Sequence, residues 1–289
     1  MQIQENCPLG PKTTMRIGGS ARYFSDVATR GELAQAWALA QEKQLPLIVL
    51  GAGSNTIFAD GEIAAFVVRI KASRMQQSGT TVTAEAGCYL ASLVSELATY
   101  GLDLSALTGI PGTLGGAVAG NVGQGIHGVW IDRFITSVTV FDEGKWKTLS
   151  REACRFGYRD SLWKQASSAP IIWEVVMSIP ERDPTMIQED VKNLLARRIE
   201  TQPHLKTAGS CFASLPDGTP AWKLIDAAGL RGMTIGGVQI AEKHANFLLN
   251  IGSATYADAV AIVKAVREKV GVPLDVEMRC IEPDGTLAF

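Results

Sequence analysis

Apolar and polar residues alternate along this chain with two distinct periods. Between positions 29 and 43 the apolar side chains have the spacing of one helix face, at Leu33, Ala36, Trp37 and Ala40. Strands are predicted on either side, at 21–28 and 47–50, and the second runs directly into a glycine-containing segment. Strand, helix and strand in this order predict a βαβ unit and α/β layering.

The same two periods predict most of the remaining elements. Strands are expected at 66–70, 81–86, 135–141, 146–149, 171–179, 247–250 and 274–281. The strands at 135–141 and 146–149 are expected to pair as a hairpin. Helices are expected at 90–100, after an N-cap at Thr185, at 220–228, and after Thr255, where Asp258 completes a variant of the capping box.

Two glycine-rich segments interrupt this pattern. The first is Leu50-Gly-Ala-Gly-Ser-Asn55, and the second runs from Gly109 to Gly128, where eight of the twenty residues are glycine. Glycine at this density lets the backbone adopt unusual conformations or approach a bulky group closely. We therefore expect the two segments to hold one large anionic ligand from two sides. The bland alternative is a tight turn in the first segment and a packed, kinked loop in the second.

Composition and charge exclude several classes of function. The chain has 46% apolar residues, 19% charged residues and a net charge of −2, which is typical of a soluble globular protein and gives no support for a nucleic-acid or membrane partner. We find neither a signal peptide nor an apolar run long enough to span a bilayer. The five scattered cysteines and three separated histidines predict no disulfide framework and no metal site. A monomer in the reducing cytoplasm is expected.

Few side chains outside the glycine segments suggest chemistry on their own. Arg159 could grip a carboxylate with two hydrogen bonds, or could equally pair with a neighbouring acid. Ser210 follows a glycine and is otherwise an ordinary turn serine. Glu277 lies on a predicted strand, on the same face as Arg279. The first glycine segment is neither a dinucleotide fingerprint nor a P-loop, although its N–H groups could form an anion nest.

Taken together and in order, nine stretches resemble the UDP-N-acetylenolpyruvoylglucosamine reductase family, in particular the subgroup without an extra substrate-covering loop. The stretches run almost from end to end: Thr13–Gly19, Leu50–Asn55, Gly109–Ala117, Phe156–Ser161, Ala208–Phe212, Ala228–Gly232, Ile235–Gly237, Glu242–Asn246 and Val276–Arg279. That order is far more specific than any single motif.

The resemblance implies a fold and a domain organisation. It implies an α+β or α/β protein with a two-part FAD-binding module of the vanillyl-alcohol-oxidase type over 1–185, divided into parts of about 1–70 and 71–185. A substrate-binding α/β domain would follow at 186–272. The last segment, 273–289, would return to the flavin site as a strand.

The resemblance also implies the reaction. In the family, NADPH reduces FAD, and the flavin hydride then adds to the vinyl carbon of a UDP-linked enolpyruvyl sugar. Matched onto this chain, Ser210 would protonate the neighbouring carbon, while Arg159 and Glu277 would stabilise the enolate formed in between. Two adjacent negative charges repel, so Glu277 would have to be protonated or linked through water.

Cofactor and substrate contacts are implied in the same way. FAD would lie against the two glycine segments, at Leu50, Gly51, Ala52, Gly53, Ser54, Asn55, Gly109, Ile110, Pro111, Gly112, Thr113, Gly115, Gly116, Ala117 and Asn121. The substrate would meet Tyr158, Lys164, Ser214, Lys243, His244 and Asn246. The chain departs from the family pattern where a tyrosine is replaced by Gly125, and where a lysine and an asparagine are replaced by Ala213 and Ser214.

Three other hypotheses are compatible with parts of the sequence. An FAD-dependent oxidase or dehydrogenase of the same fold would explain the glycine segments, with His127 as a candidate for covalent flavin attachment. A hydrolase would use Ser210 and His244, although no G-x-S-x-G motif is present. A non-catalytic nucleotide-binding protein would explain the altered substrate motif.

Overall fold

The structure is a computed structural model that describes residues 1–123, 128–165, 169–204 and 206–289. Its strands are β1 (Gln4–Pro8), β2 (Ser20–Val27), β3 (Leu47–Leu50), β4 (Thr56–Phe58), β5 (Glu62–Ile70), β6 (Met75–Ser78), β7 (Thr81–Glu85), β8 (Ile135–Asp142), β9 (Lys145–Ser150), β10 (Ile171–Ser178), β11 (Thr207–Ser210), β12 (Thr234–Ile235), β13 (Val238–Ile240), β14 (Phe247–Asn250) and β15 (Arg279–Ile281). Its helices are α1 (Arg30–Glu42), α2 (Leu90–Thr99), α3 (Leu114–Ala119), α4 (Leu162–Gln165), α5 (Pro184–Thr201), α6 (Ala221–Ala227) and α7 (Tyr256–Val270).

The predicted βαβ unit forms the first sheet. Its strand order is β1-β2-β5-β3, with β2 and β3 both parallel to β5 and β1 antiparallel to β2. The helix α1 connects β2 to β3, as expected, but the two strands are separated by β5. That central strand begins at Glu62, earlier than predicted, because its apolar residues form a nearly continuous run that is buried on both faces.

The helix starts show how well local chemistry can be predicted. Thr255 and Asp258 form the expected capping box, with the Thr255 hydroxyl accepting from the Asp258 N–H at 3.1 Å. The expected N-cap at Thr185 is wrong. Asp183 caps α5 instead, accepting from the N–H groups of Thr185 and Met186, and Pro184 takes the first helical position, which needs no N–H partner.

The second sheet is antiparallel and five-stranded. Its order is β6-β7-β10-β8-β9, and β8 and β9 form the predicted hairpin. The second glycine segment is not a continuous loop, since it contains the short helix α3. Buried Leu114 and Val118 hold this helix against the core, and the surrounding glycines concealed its apolar spacing.

The C-terminal part adds a third sheet, with the order β11-β14-β13-β12. The predicted strand 274–281 is shorter than expected: only β15 forms a continuous strand, which pairs in parallel with β4 just after the first glycine segment. The preceding residues bond to another part of the chain, where the N–H of Glu277 donates to the carbonyl of Cys211 at 2.8 Å. The chain end therefore connects the first glycine segment to the segment that follows β11.

Two large apolar cores hold these sheets together. One lies between the first and second sheets, and includes Phe66, Val68 and Trp173. The other lies between the first sheet and the C-terminal elements, joining Phe24 and Val67 to Ile262 and Val263 of α7. The domain boundaries at 185 and 272 stay predictions. In the described part of the chain, no helix is long and apolar enough to cross a membrane.

Candidate active site

One cavity collects most of the residues that were predicted to carry chemistry. Its volume is about 270 Å³, and its lining includes Arg159, Ser210 and Glu277, which come from three distant parts of the chain. Four of the predicted substrate contacts also line it: Tyr158, Ser214, His244 and Asn246. The lining further includes Trp130 and Trp222, which sequence reasoning missed because neither belongs to a recognisable motif.

A tight turn presents Tyr158 and Arg159 to this cavity. Gly157 and Asp160 exchange two backbone hydrogen bonds across the turn, at 3.0 and 3.2 Å. Arg159 has a φ of 52°, in the left-handed region that non-glycine residues seldom adopt. A residue in this conformation needs support from its surroundings, and such residues occur often at functional sites.

Side chains around the turn supply that support. Asn121 donates from Nδ2 to the carbonyl of Gly157 at 2.8 Å, and Ser161 donates from Oγ to the carbonyl of Ala119 at 2.6 Å. Lys164 donates from Nζ to the carbonyl of Arg159 itself at 2.6 Å. Lys164 was predicted as a substrate contact and Asn121 as a cofactor contact, but here both side chains hold the backbone that carries Arg159.

We expect the substitution Asn121→Ala to destabilise the fold by about 1–3 kcal/mol, because it leaves the half-buried N–H of Asp132 without a partner and removes one of the two hydrogen bonds to the carbonyl of Gly157. Asn121 is buried, and its side chain both donates to the carbonyl of Gly157 and accepts from the N–H of Asp132, the latter at 3.3 Å. The free energy of unfolding in urea measures the loss. Asn193→Ala, at an exposed position of α5, is the matched control and should change the stability by less than about 0.5 kcal/mol. Equal values for the two variants would contradict the assignment.

Ser210 lies at the end of β11, where a neighbouring asparagine fixes the backbone. The side chain of Asn246 bonds to Phe212 twice, accepting from its N–H at 3.0 Å and donating to its carbonyl at 2.8 Å. The backbone carbonyl of Asn246 accepts from the N–H of Cys211. The hydroxyl of Ser210 has no hydrogen-bond partner among the described residues, so it is free to act on a group in the cavity.

Glu277 forms an ion pair with Arg159 in the lining of the cavity. Its Oε1 lies 3.1 Å from Nε of Arg159, and the side chains are 13% and 27% exposed. The side chain of Asn55 donates to the carbonyl of Glu277 at 2.9 Å, so the first glycine segment holds the backbone of this acid. The terminal NH groups of Arg159 have no acceptor among the residues that the structure describes, which leaves them available for a carboxylate.

His244 presents a neutral ring to the cavity. Its Nδ1 accepts from the N–H of Asn246 at 3.3 Å, which places the proton on Nε2. Burial lowers the pKa of His244 below its usual 6.5, and the positive charge of Arg231 lowers it further. The ring therefore offers an N–H donor at neutral pH and not a second cation.

The pKa shift of His244 predicts a dependence of stability on pH. The imidazole of His244 binds a proton less readily in the folded protein than in the unfolded chain. Its contribution to the free energy of unfolding is therefore complete above about pH 6.5 and is lost as the pH falls. We expect the free energy of unfolding to fall less steeply below that pH in His244→Gln than in the unsubstituted protein. His204→Gln, at an exposed position, should retain the original slope. Equal slopes in all three proteins would rule the effect out.

The two glycine segments meet next to this cavity. Ser54 donates from Oγ to the carbonyl of Pro111 at 3.2 Å. A Cβ added at Gly51 would lie 2.5 Å from Oγ1 of Thr113, and one at Gly112 would lie 2.9 Å from Oγ of Ser54. Glycine is therefore required here partly for the packing of one segment on the other, which was the bland alternative.

The backbone of the two segments nonetheless suits an anion. The N–H groups of 51–55, and those of Gly112 and Thr113, donate to no acceptor among the described residues. Uncommitted N–H groups on two loops in contact form the type of nest that binds phosphates. Leu50 contributes only its backbone, since its side chain is buried in the core. The donor set thus fits the pyrophosphate of a dinucleotide, while the individual FAD contacts stay predictions.

We expect Gly53→Ala to lower the free energy of unfolding by about 2–4 kcal/mol and to weaken dinucleotide binding. Gly53 has a φ of 67°, and a Cβ there would lie 2.3 Å from the carbonyl oxygen of Lys12. Gly31→Ala in α1 is the control, because nothing lies within 4 Å of its added Cβ, and it should be neutral or slightly stabilising. Urea unfolding and FAD titration would measure the two effects; similar behaviour of both variants would contradict them.

Some predicted residues lie away from the cavity. Lys243 donates from Nζ to the carbonyl of Ile199 at 2.6 Å, near the end of α5, so its charge compensates the helix C-terminus. Gly125 and His127, the sites of the altered tyrosine and of possible flavin attachment, lie outside the described residues. Within the described ranges, no cluster of three or more potential metal ligands occurs.

The geometry gives no support to the hydrolase hypothesis. Ser210 and His244 line the same cavity, but no hydrogen bond joins them in the described part of the chain. Nδ1 of His244 already accepts from the N–H of Asn246, and no carboxylate among the described residues bonds to the ring. A serine nucleophile requires both an adjacent base and a group that orients that base.

Comparison with known proteins identifies the family of this chain. The model of an FAD binding domain matches 21–150, and that of the UDP-N-acetylenolpyruvoylglucosamine reductase C-terminal domain matches 202–281. The reductase of Synechococcus sp. (strain JA-3-3Ab) is 37% identical over 93% of this chain and 86% of its own length. Reductase 2 of Symbiobacterium thermophilum is also 37% identical, over 96% of this chain and 92% of its own length.

A solved structure has the same fold. The crystal structure of UDP-N-acetylenolpyruvylglucosamine reductase from Thermus caldophilus superposes with a TM-score of 0.84, at 32% identity, over 97% of this chain and 99% of its own. The expected fold, an FAD-binding module followed by a C-terminal α/β part, is thereby confirmed. On identity and coverage together, the chain belongs to the UDP-N-acetylenolpyruvoylglucosamine reductase family.

Proposed function

We propose that this protein is a flavin-dependent oxidoreductase that uses NADPH to reduce the enolpyruvyl group of UDP-N-acetylglucosamine-enolpyruvate. The product is UDP-N-acetylmuramate, a precursor of peptidoglycan. One observation carries the assignment of the site: Arg159, Ser210 and Glu277 line one cavity beside two loops with free N–H groups. Bound FAD supplies the hydride, which comes from NADPH and is delivered to the vinyl CH₂ carbon of the substrate.

The two glycine segments hold the dinucleotide in this proposal. The N–H groups of 51–55, with those of Gly112 and Thr113, bind its pyrophosphate. Asn55 then has a second task, because its side chain ties the cofactor loop to the backbone of Glu277. The contact holds the loop that would bind the cofactor against the segment that carries Glu277, and the rate of a transfer step depends strongly on such positioning.

Arg159 stabilises the charge that develops on the substrate. Hydride addition to the vinyl carbon pushes electrons into the carboxylate, so a fixed guanidinium binds the enolate more strongly than the substrate. Oε1 of Glu277 forms an ion pair with Nε of Arg159, which leaves the terminal NH groups for the substrate carboxylate. Stabilisation of this kind requires a group that is already in place, and the supported turn keeps Arg159 there.

Ser210 completes the addition by donating a proton to the carbon next to the carboxylate. Its hydroxyl lines the cavity and has no hydrogen-bond partner among the described residues. The two hydrogen bonds from the Asn246 side chain to Phe212 fix the backbone next to it. One hydride and one proton together saturate the double bond. Proton transfer by a positioned group typically contributes about 10²–10⁴-fold to a rate.

The wider setting follows from the chain itself. All residues assigned to chemistry lie on this chain, so the proposed site needs no residue from a second copy. The five cysteines are free and buried, which supports a reducing compartment, and we place the protein in the cytoplasm. The net charge of −2 supports small-molecule partners without nucleic acid or membrane.

Isotope labelling tests the reaction and its second step. In D₂O with NADPH and the UDP-enolpyruvyl sugar, mass spectrometry should detect UDP-N-acetylmuramate carrying a carbon-bound deuteron beside the carboxylate. The hydroxyl of Ser210 exchanges with solvent, so the proton that it donates must be deuterium. Absence of this product, with the substrate recovered unchanged, would overturn the proposal.

A further inference from the structure

Trp130 contacts the residue that we assign to enolate stabilisation. It precedes a 3₁₀ turn at Ile131–Arg133 and pairs with Gly123 in an isolated β-bridge. The N–H of Ile131 donates to the carbonyl of Val122 at 2.9 Å, which fixes the backbone beside the bridge. The indole ring lines the cavity together with Ser210 and Glu277.

The indole ring rests on the backbone of Gly123. A Cβ at Gly123 would lie 2.6 Å from Cε3 and 2.7 Å from Cδ2 of the ring, so any other residue there would displace the ring. The ring also makes a T-shaped contact with Tyr158, with centroids 5.1 Å apart and ring planes at 75°. The indole therefore contacts both a glycine and an aromatic ring, which restrict its orientation.

The guanidinium carbon of Arg159 lies 5.1 Å from the centre of the Trp130 ring. Nε of the same guanidinium meets Oε1 of Glu277 at 3.1 Å. A contact with the ring leaves the N–H groups of an arginine free, whereas a carboxylate occupies one of them. Together the two contacts restrain Arg159 and still leave its terminal NH groups for a substrate carboxylate.

We propose that Trp130 is a positioning residue for Arg159 in the reduction of the substrate, and that its ring forms part of the apolar wall of the substrate cavity. The inference rests on the proposed function. Loss of the ring leaves Arg159 charged but less well placed, so the step that forms the enolate slows while cofactor reduction does not. The effect is on the rate at saturating substrate more than on substrate affinity.

Anaerobic stopped-flow kinetics of Trp130→Leu and Trp130→Phe test this role. We expect reduction of the flavin by NADPH to be unchanged in both variants. Reoxidation at saturating UDP-enolpyruvyl sugar should slow by about tenfold in Trp130→Leu and by less than about threefold in Trp130→Phe, which keeps a ring face. Equal rates in Trp130→Leu and the unsubstituted protein, or equal slowing in both variants, would overturn the proposal.

Two further measurements separate positioning from simple packing. In a double-mutant cycle with Arg159→Gln, the effect of Trp130→Leu should largely disappear; additive effects would contradict action through Arg159. Trp146→Leu is the matched control, since that ring also contacts an arginine, Arg30, at 4.8 Å but does not line the cavity. Failure of the unsubstituted protein to be reoxidised by this sugar would contradict the proposed function instead.

Discussion

Ser210→Ala is expected to leave the reduction of the flavin by NADPH unchanged and to slow its reoxidation by the UDP-enolpyruvyl sugar by about 10²–10⁴-fold. The hydroxyl has no protein partner among the described residues, so its loss leaves no buried group unsatisfied and should not disturb the fold. The enolate formed by hydride addition would still be held by Arg159, but would have to take its proton from solvent. Rapid-mixing measurements of the two half-reactions separate these effects.

Ser214→Ala is the matched control for this prediction, because Ser214 is a second serine in the lining of the same cavity. We expect it to change the saturating rate of reoxidation by less than about threefold, whatever its effect on affinity. Loss of both half-reactions in Ser210→Ala would mean that the hydroxyl supports the structure. A normal rate of reoxidation would assign the proton to another donor.

Arg159→Gln is expected to slow reoxidation at saturating substrate by about 10²–10³-fold, which is the usual cost of removing one preorganised group that stabilises an oxyanion. Reduction by NADPH should change by less than about tenfold, because that step builds no charge on the substrate carboxylate. The variant also removes the cation that lies 3.1 Å from Glu277, so its flavin content must be measured alongside the rates.

Arg155→Gln provides the control for the change at Arg159. Arg155 lies four residues earlier, has a similar left-handed conformation with a φ of 51°, and is exposed to solvent outside the cavity. It should retain both half-reactions. Equal losses in the two arginine variants would indicate a general effect of charge or of folding, and would remove Arg159 from the mechanism.

Elements with a clear period could be predicted from the sequence, and those defined by long-range pairing could not. The helix at α1 and the hairpin of β8 and β9 followed from local spacing. The extent of β15 depends on its partner β4, more than two hundred residues away, and no local pattern encodes that pairing. The N-cap of α5 lies two residues before the predicted Thr185, because proline is favoured at the first helical position, so Pro184 belongs to the helix and Asp183 becomes its cap.

The site followed from the sequence only through the order of its motifs. Arg159, Ser210 and Glu277 have no common spacing, and the fold alone places them around one cavity. The two asparagines of the glycine segments are predicted cofactor contacts, and the structure adds a second contact for each side chain: Asn55 bonds to the carbonyl of Glu277 and Asn121 to that of Gly157. Trp130 carried no signal beyond a nearby glycine, Gly123, whose missing side chain makes room for the ring.

The most direct test is a titration of the flavin absorbance of the purified holoprotein under anaerobic conditions. NADPH should bleach the visible absorbance, and UDP-N-acetylglucosamine-enolpyruvate, added after removal of the nucleotide, should restore it with formation of one UDP-N-acetylmuramate per flavin. UDP-N-acetylglucosamine, which lacks the enolpyruvyl group, should restore none of it. A flavin that NADPH cannot reduce, or that the enolpyruvyl sugar cannot reoxidise, would contradict the account.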